Sequence, residues 1–445
     1  MSPSIRQRLR NLTSFFAIAA LVTVMTGPSG SNDAPVEGFT QSFAQTYSYF
    51  GLFKGQRWMV FLTLALLVLG LNSLWKRGGS KVRVRFAAVK GGFETPGRRR
   101  TTALTALVAV ALVALFVPHL ITNPGIQSGI VEQVLAYVIL ALGLNVVVGW
   151  AGLLDLGYVG FYAIGAYVTA WMTGRLPIAA PFHHPVSSFA AIPVAIAFTM
   201  IAGVILGAPT LRLRGDYLAI VTLGFGEIIL VFSNNLTNVT GGAQGTTPYI
   251  PAFTFRVGGL KYLFGNVGYY FLVAGFVAAT IILFRLLEHS RVGRAWTAIR
   301  EDEVAAESIG INPLKYKVMA FAIGASVSGF AGAVTASQIG VVYPNTFSLY
   351  FSVNVLTLVI FGGMGSILGV IVGSVLVQGI AVYLRFYPPS GYQASDLYMY
   401  LGALLIMMMI YRPAGLLPSK RRRREITQAE SGIGHESDVL LGEQP

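Results

Sequence analysis

SRVGRAWTAIREDEVAAESIGINPLKYK (290–317) is a polar, charge-dense segment between two long apolar ones. Its neighbours are VGYYFLVAGFVAATIILF (267–284) and VMAFAIGASVSGFAGAVTASQIG (318–340), and each is long enough for a transmembrane helix. The acidic run 301–303 suits a helix N-terminus, and Gly310 is typical of a helix end. The segment therefore predicts a short helix displayed between two membrane spans.

Small or apolar residues recur along this predicted helix and are expected on one side of it: Ala298, Ala305, Ala306 and Ile309. Small residues let another backbone approach closely. The pattern favours a docking element for a second protein.

The composition is that of an integral membrane protein. Of 445 residues, 54% are apolar and 11% are charged, and the mean hydropathy is +0.65. Soluble domains carry roughly 25% charged residues. The apolar runs have helical length and lack the alternation of barrel strands. We therefore predict an all-α polytopic membrane protein embedded in a lipid bilayer.

Cysteine is absent, which excludes disulfides, thiolate metal sites and cysteine nucleophiles. The net charge of +14 is compatible with nucleic-acid binding, but a membrane protein acquires such a charge from cytoplasmic loops rich in Lys and Arg. We predict no nucleic-acid partner.

Hydropathy predicts about 10–12 transmembrane helices, near 12–25, 58–75, 102–117, 129–149, 153–173, 187–207, 216–233, 268–286, 318–340, 345–361, 367–385 and 397–411. The first is weak, and its basic start also resembles a signal peptide. The block 351–385 is predicted as two helices joined by the turn 362–366. A single span there would place the basic cluster 420–424 outside, against the positive-inside tendency. Both termini are then cytoplasmic.

Two glycine-rich turns share one plan, in 145–166 and in 356–374. Both have an apolar run, a turn and a second apolar run with small residues. Either they mark a parallel internal repeat, or glycine-rich turns look alike wherever two spans meet. Patterns such as Gly203-xxx-Gly207, Gly369-xxx-Gly373 and Ser328-xxx-Gly332 predict close helix packing.

Glu227 is the clearest ionisable residue inside a predicted span, and Gly224 and Gly226 flank it. Charged groups in membranes are costly, so they mark candidate pathways. Either the helix breaks here and lines a cavity, or Glu227 pairs with a buried polar group. The outer segment 234–267, with Gly241 and Gly242, is interpreted as an external loop that meets a partner or ligand, or as a plain solvated loop.

Phosphate-loop, dinucleotide and HExxH signatures are absent, so we predict no enzyme activity, no cofactor and no metal site. No stripe of intramembrane charges resembles a proton relay. Uphill transport therefore needs a separate ATPase, and the polar segment 290–317 is its predicted attachment point.

Five motifs closely resemble LivM-type branched-chain amino acid ABC transporter permeases, in order and spacing. They are GLNVVVGWAGLLDLGYVGFYAIGAYVTA (143–170), DYLAIVTLGFGEII (216–229), GRAWTAIREDEVAAESIGINPLKYKVMAFAIGASVSGFAGA (293–333), FGGMGSILG (361–369) and RPAGLLP (412–418). The resemblance implies an inner-membrane permease subunit for leucine, isoleucine or valine. Its implied partners are a second homologous permease, two ATPase subunits and a periplasmic substrate-binding protein.

The family's importer motif, E-A-A-x-x-x-G, aligns with Val304, Ala305, Ala306 and Gly310, and Val304 replaces the glutamate. The ATPase-coupling residues expected on this basis are Arg294, Glu303, Val304, Ala305, Ala306 and Gly310. The chain is divided into an N-terminal membrane appendage with a basic cytoplasmic loop (1–118), a permease core (119–418) and a basic, disordered cytoplasmic tail (419–445). Alternatives are a permease for urea, a sugar or a nucleoside, and a self-powered secondary carrier in which Glu227 binds the coupling cation.

Overall fold

The computed structural model describes residues 121–387, except 122, 181–183, 212–215, 258–259 and 264–265, together with 402, 406, 408 and 415–417. The predicted spans 12–25, 58–75 and 102–117 lie outside the described residues, as does nearly all of 397–411. The predicted appendage (1–118) and tail (419–445) lie outside them too.

The described helices follow one another along the chain as α1 (Pro124–Trp150), α2 (Tyr158–Met172), α3 (Ser188–Thr210), α4 (Asp216–Asn235), α5 (Thr237–Thr240), α6 (Asn266–Glu288), α7 (Arg291–Glu301), α8 (Glu303–Ser308), α9 (Pro313–Ile339), α10 (Leu349–Gly362) and α11 (Ile367–Phe386). A short antiparallel hairpin, β1 (Thr254–Val257) and β2 (Leu260–Leu263), lies between α5 and α6. The all-α polytopic fold is confirmed, with this hairpin as a small addition.

Local sequence signals set several helix starts. Asn123 caps α1, and its side chain accepts a hydrogen bond from the Gly125 amide at 2.9 Å. Asn312 caps α9 in the same way, and Pro313 occupies the first helical turn, where its missing N–H costs nothing. Gly340 ends α9 with a φ of 82°.

Among the described residues, six helices are long and apolar enough to cross a membrane: α1, α3, α4, α6, α9 and α11. The predicted spans 153–173 and 345–361 are shorter in the structure, because α2 has 15 residues and α10 has 14. Loop 151–157 precedes α2, and its Asp155 carboxylate accepts a hydrogen bond from the Gly157 amide at 2.9 Å. This bond satisfies a backbone donor where α2 starts.

Helices α1 and α9 form the core. In α1 and in α9, 72% of the residues in the most apolar 18-residue stretch are buried. In α3, α4 and α6, 28% of the residues in that stretch are buried. Helix α9 packs against α3 and α2 through small residues. An ideal Cβ on Gly203 of α3 would lie 2.7 Å from the Cβ of Ala325 on α9. The Ser328 hydroxyl of α9 donates to the Tyr158 carbonyl at 3.0 Å. The predicted close packing is therefore confirmed.

Helices α10 and α11 form a hairpin around the turn 363–366, so the prediction of two helices in 351–385 is confirmed. Ser366 caps α11 through the Gly369 amide at 3.1 Å. Part of the RPAGLLP motif returns to this turn, because the Leu416 amide donates to the Phe361 carbonyl at 2.9 Å. An ideal Cβ on Gly373 would lie 2.6 Å from the Gly362 Cα, which explains the small residues in this pair.

Candidate functional site

The polar segment folds as two helices, α7 and α8, and not as the single helix that the sequence predicted. Asp302 interrupts the run with an extended backbone, at φ −155° and ψ 111°. Its side chain then caps α8 by accepting a hydrogen bond from the Ala305 amide at 2.9 Å. The acidic run therefore does mark a helix N-terminus. Gly310 follows α8 with a φ of 87°, in agreement with the predicted stop.

Trp296 anchors α7 to the rest of the fold. The side chain is 0% exposed, and its ring stacks on Trp150 at the end of α1, with ring centroids 6.2 Å apart. The indole N–H donates to the Tyr316 carbonyl of α9 at 2.7 Å. Ala295 and Ile299 are also buried and complete the inner face of α7. The helix is thus held on two core helices.

Helix α8 is mostly exposed. Ala306 is 2% exposed, but Val304 is 76% exposed and Ile309 is 73% exposed. Ala305 is exposed as well. The predicted common side for Ala298, Ala305, Ala306 and Ile309 is therefore wrong. The break at Asp302 ends the periodicity of α7, and Ala306 turns inward while its neighbours face outward.

A groove of about 1170 Å³ runs beside α8, between loop 151–154 and segment 310–317. Glu303, Val304 and Gly310 line it, so three of the six expected coupling residues lie together. Glu303 forms an ion pair with Lys317, also in the groove, at 2.6 Å. The groove therefore combines charged and apolar side chains around a short exposed helix.

The other expected coupling residues do not line the groove. Arg294 is exposed on α7, and its guanidinium donates to the His289 carbonyl at 2.9 Å. Ala305 is exposed, and Ala306 is buried on the inner side of α8.

The two glycine-rich turns meet next to α7. The Gly365 amide donates to the Asn145 side chain at 2.8 Å. The Trp150 indole donates to the Gly365 carbonyl at 3.4 Å. The Arg300 guanidinium of α7 donates to the Gly149 carbonyl. Sequence reasoning detected the similarity of the two turns but missed Arg300 and Asn145, because neither contact is local in the chain.

Glu227 lies in α4, and the structure does not show the broken helix that was one of the two alternatives for it. Helix α4 is continuous through Gly224 and Gly226. Gly226 is buried, and an ideal Cβ on it would be 3.5 Å from the Gly157 Cα, whereas an ideal Cβ on Gly224 would meet no atom of the described residues within 4 Å. Glu227 is half-buried and forms no hydrogen bond or ion pair with another described residue. The alternative of a buried polar partner therefore finds no support among the described residues.

The glycines of the outer segment form a compact turn. Gly241 ends α5 with a φ of 85°, and Gly242 follows with a φ of 65°. The Thr240 hydroxyl donates to the Ser233 carbonyl at 2.8 Å. Thr246 is 1% exposed, and its hydroxyl accepts from the Val342 amide at 3.1 Å. The glycines are thus part of a folded segment fixed to residues after α9.

The groove and this outer segment lie at opposite ends of the helical bundle. Helix α9 begins at Pro313, which lines the groove, and is followed by Gly340, whose carbonyl accepts from the Ile250 amide. Its 27 residues correspond to about 40 Å at 1.5 Å per residue. We call the two ends the groove end and the far end.

A sequence profile of the family described as "Branched-chain amino acid transport system / permease component" matches residues 126–411. The chain belongs to this permease family. The match spans α1 to α11 and includes both glycine turns and the α7–α8 pair. The resemblance inferred from the motifs is thereby confirmed.

Curated relatives agree with this assignment. The chain is 38% identical over 344 residues to the "High-affinity branched-chain amino acid transport system permease protein LivM" of Salmonella typhimurium, which covers 73% of this chain and 77% of that protein. It is 39% identical over 334 residues to LivM of Escherichia coli, with 71% and 75% covered. The LivH permease protein of Escherichia coli is 26% identical over 295 residues, with 63% and 91% covered. No solved structure matches the chain.

Proposed function

We propose that this chain is one permease subunit of an ATP-driven importer for leucine, isoleucine and valine. It forms half of the translocation pathway, and a second homologous permease forms the other half. The proposal is supported by the two LivM relatives, which are described as high-affinity branched-chain amino acid permeases. The more distant LivH relative carries the same description, which supports pairing between two related chains.

The groove beside α8 is the docking site for a separate ATPase subunit. The observation that carries this proposal is the exposed helix α8, in which Val304 is 76% exposed and after which Ile309 is 73% exposed. The preceding helix α7 is fixed to the core through Trp296. Exposed apolar side chains on a rigid support favour protein binding. One ATPase subunit would bind each of the two permeases. When the ATPase subunits close on ATP, α7 and α8 would move and so change the packing of the transmembrane helices.

The groove end faces the cytoplasm of a bacterial inner membrane, and the far end faces the periplasm. Most of the 32 Lys and Arg residues then lie on the cytoplasmic side, as the positive-inside tendency requires. Both termini are cytoplasmic in this arrangement. The far end, with the turn at Gly241 and Gly242, receives the periplasmic substrate-binding protein.

Glu227, Gly224 and Gly226 remain pathway candidates. Glu227 is half-buried and has no partner among the described residues. A carboxylate in that position within a membrane helix is costly unless water or a polar solute reaches it. Gly224 leaves open space one turn before it on α4.

Val304→Arg tests the docking site, and Val239→Arg is its control. Both valines are exposed, at 76% and 38%, and Val239 lies in α5 at the far end. A charged side chain in a partly apolar interface leaves an unpaired charge, so Val304→Arg should reduce ATPase co-purification and ATP-dependent leucine uptake by about tenfold or more. Val239→Arg should leave ATPase co-purification unchanged. Equal ATPase binding by both variants would refute the docking site.

A self-powered secondary carrier is the alternative from another class. The observation in its favour is that Glu227 has no hydrogen-bond or ion-pair partner in the part of the chain that the structure describes. Uptake in vesicles without the ATPase subunits decides between the two. Uptake that survives their loss and collapses with the ion gradient would establish the carrier. A competition series of leucine, urea, ribose and a nucleoside, presented with the binding protein, separates the related substrate classes.

A further inference from the structure

Arg300 lies on the last turn of α7 and reaches across to α1. Its guanidinium donates to the carbonyl of Gly149, one residue before α1 ends. The last carbonyls of a helix lack partners within the helix, and a cation there also interacts favourably with the helix dipole. Arg300 also lines the groove. It is half-buried where glycine leaves space, because an ideal Cβ on Gly152 would lie 3.0 Å from the Arg300 Cγ.

The same guanidinium adjoins the turn between α10 and α11. An ideal Cβ on Gly365 would lie 3.4 Å from the Arg300 Nη1 atom. An ideal Cβ on Gly149 would lie 2.6 Å from the Gly365 amide nitrogen, so the two turns touch at this point. The Asn145 side chain and the Trp150 indole add hydrogen bonds between α1 and Gly365. The Arg300 guanidinium therefore lies where α7, the end of α1 and the turn between α10 and α11 meet.

We propose that Arg300 is a positioning residue that transmits movement of α7 and α8 to both glycine turns, and through them to α1, α10 and α11. This inference rests on the proposed docking of an ATPase at the groove. Trp296 fixes α7 to the core through ring packing and one hydrogen bond. Arg300 provides a polar connection between α7 and the end of α1, next to the turn at Gly365.

Arginine suits this position for a physical reason. Its planar guanidinium presents five N–H donors in a fixed arrangement, so it can bond the Gly149 carbonyl and keep further donors beside the turn at Gly365. A lysine ammonium keeps the charge but is a compact, strongly hydrated point charge. A methionine keeps an unbranched chain and removes both charge and donors. These differences make a graded series of variants possible.

The test compares solute imported per ATP hydrolysed in liposomes that hold the complete complex. Arg300→Met should insert in the membrane, retain its ATPase subunits and hydrolyse ATP, but import per ATP should fall by about tenfold, the factor expected for the loss of a hydrogen bond to a charged group. Arg300→Lys should give an intermediate ratio. Arg291→Met, an exposed position on the first turn of α7, is the matched control and should keep the normal ratio.

A normal ratio in Arg300→Met would overturn the inference. Loss of ATPase subunits in parallel with loss of uptake would also overturn it, because Arg300 would then act in docking or folding. If Arg300→Met does not insert, Arg300→Lys decides: a lowered ratio supports the inference, and a normal ratio overturns it. Failure of the proposed function is seen separately, as absence of ATP-dependent uptake in the unsubstituted complex.

Discussion

Trp296 is the side chain on which the position of α7 depends most. Its ring is fully buried between the end of α1 and the start of α9, stacked on Trp150 and hydrogen-bonded to the Tyr316 carbonyl. Phe284 packs edge-on against Trp150, with the two ring centroids 6.0 Å apart. Aromatic pairs of this kind contribute about 0.5–1.5 kcal/mol beyond their buried area.

Trp296→Ala should therefore destabilise the protein and weaken ATPase binding together. Removing a buried tryptophan costs about 3–5 kcal/mol, through lost contacts and the cavity that remains. Trp296→Phe keeps a ring and loses one hydrogen bond, worth about 1 kcal/mol. The thermal unfolding midpoint in detergent should fall in the order wild type, Phe, Ala.

The matched control for this series is Trp171→Ala. Trp171 is half-buried, and its indole N–H donates to the Ala179 carbonyl at 2.9 Å, away from α7. Trp171→Ala should lower the unfolding midpoint less than Trp296→Ala does, and it should leave ATPase co-purification unchanged. A larger loss of ATPase binding in Trp171→Ala than in Trp296→Ala would contradict the anchoring role.

Local chemistry was predictable at individual residues, and long-range contacts were not. The helix start at the acidic run 301–303 and the helix stop at Gly310 were predicted, because charge at a helix N-terminus and a left-handed glycine act within a few residues of themselves. The sequence did not single out Asp302 as the capping residue. The exposure of Val304 and the burial of Ala306 depend on how α8 sits on α9. The stack of Trp296 on Trp150 and the bond from Arg300 to Gly149 join distant parts of the chain, and one sequence carries no signal for either.

Helix packing followed the sequence wherever small residues repeat at helical spacing. The Gly203-xxx-Gly207 pattern lies on the face of α3 that packs against α9. The break in α4, one of the two alternatives for Glu227, is absent for an energetic reason. Each glycine costs about 1 kcal/mol in a helix interior, but leaving backbone groups without hydrogen bonds in a membrane costs several kcal/mol. Helix α4 therefore continues through Gly224 and Gly226.

Gly203→Ala should destabilise the packing of α3 on α9, and Gly275→Ala should not. A methyl group at Gly203 would lie 2.7 Å from the Ala325 Cβ, closer than carbon atoms approach without displacement, whereas one at Gly275 of α6 meets nothing within 4 Å. Overpacking typically costs about 1–3 kcal/mol. Thermal unfolding in detergent should give a lower midpoint for Gly203→Ala alone. Equal midpoints for both variants would mean that α3 and α9 separate easily.

At the scale of the whole molecule, the composition predicted a membrane protein, and the family motifs predicted a permease subunit. Neither predicted which segments of the chain contact one another. The RPAGLLP motif hydrogen-bonds to the FGGMG turn through Leu416 and Phe361, and that turn contacts the end of α1. The groove end is thus assembled from motifs that are hundreds of residues apart, whereas hydropathy locates each helix by itself and says nothing of its neighbours.

The orientation of the two ends can be tested cleanly because the chain contains no cysteine. Val304→Cys at the groove end and Tyr249→Cys at the far end, at exposed positions of 76% and 73%, each introduce a single reactive thiol. Intact spheroplasts treated with a membrane-impermeant maleimide should label Tyr249→Cys alone, and inside-out vesicles should label Val304→Cys alone. The unsubstituted chain is the blank in both preparations.

Addition of purified ATPase subunits to the vesicles should protect Val304→Cys. Labelling of Val304→Cys in spheroplasts would invert the assignment of the two ends, and the groove would then face the wrong compartment to meet an ATPase.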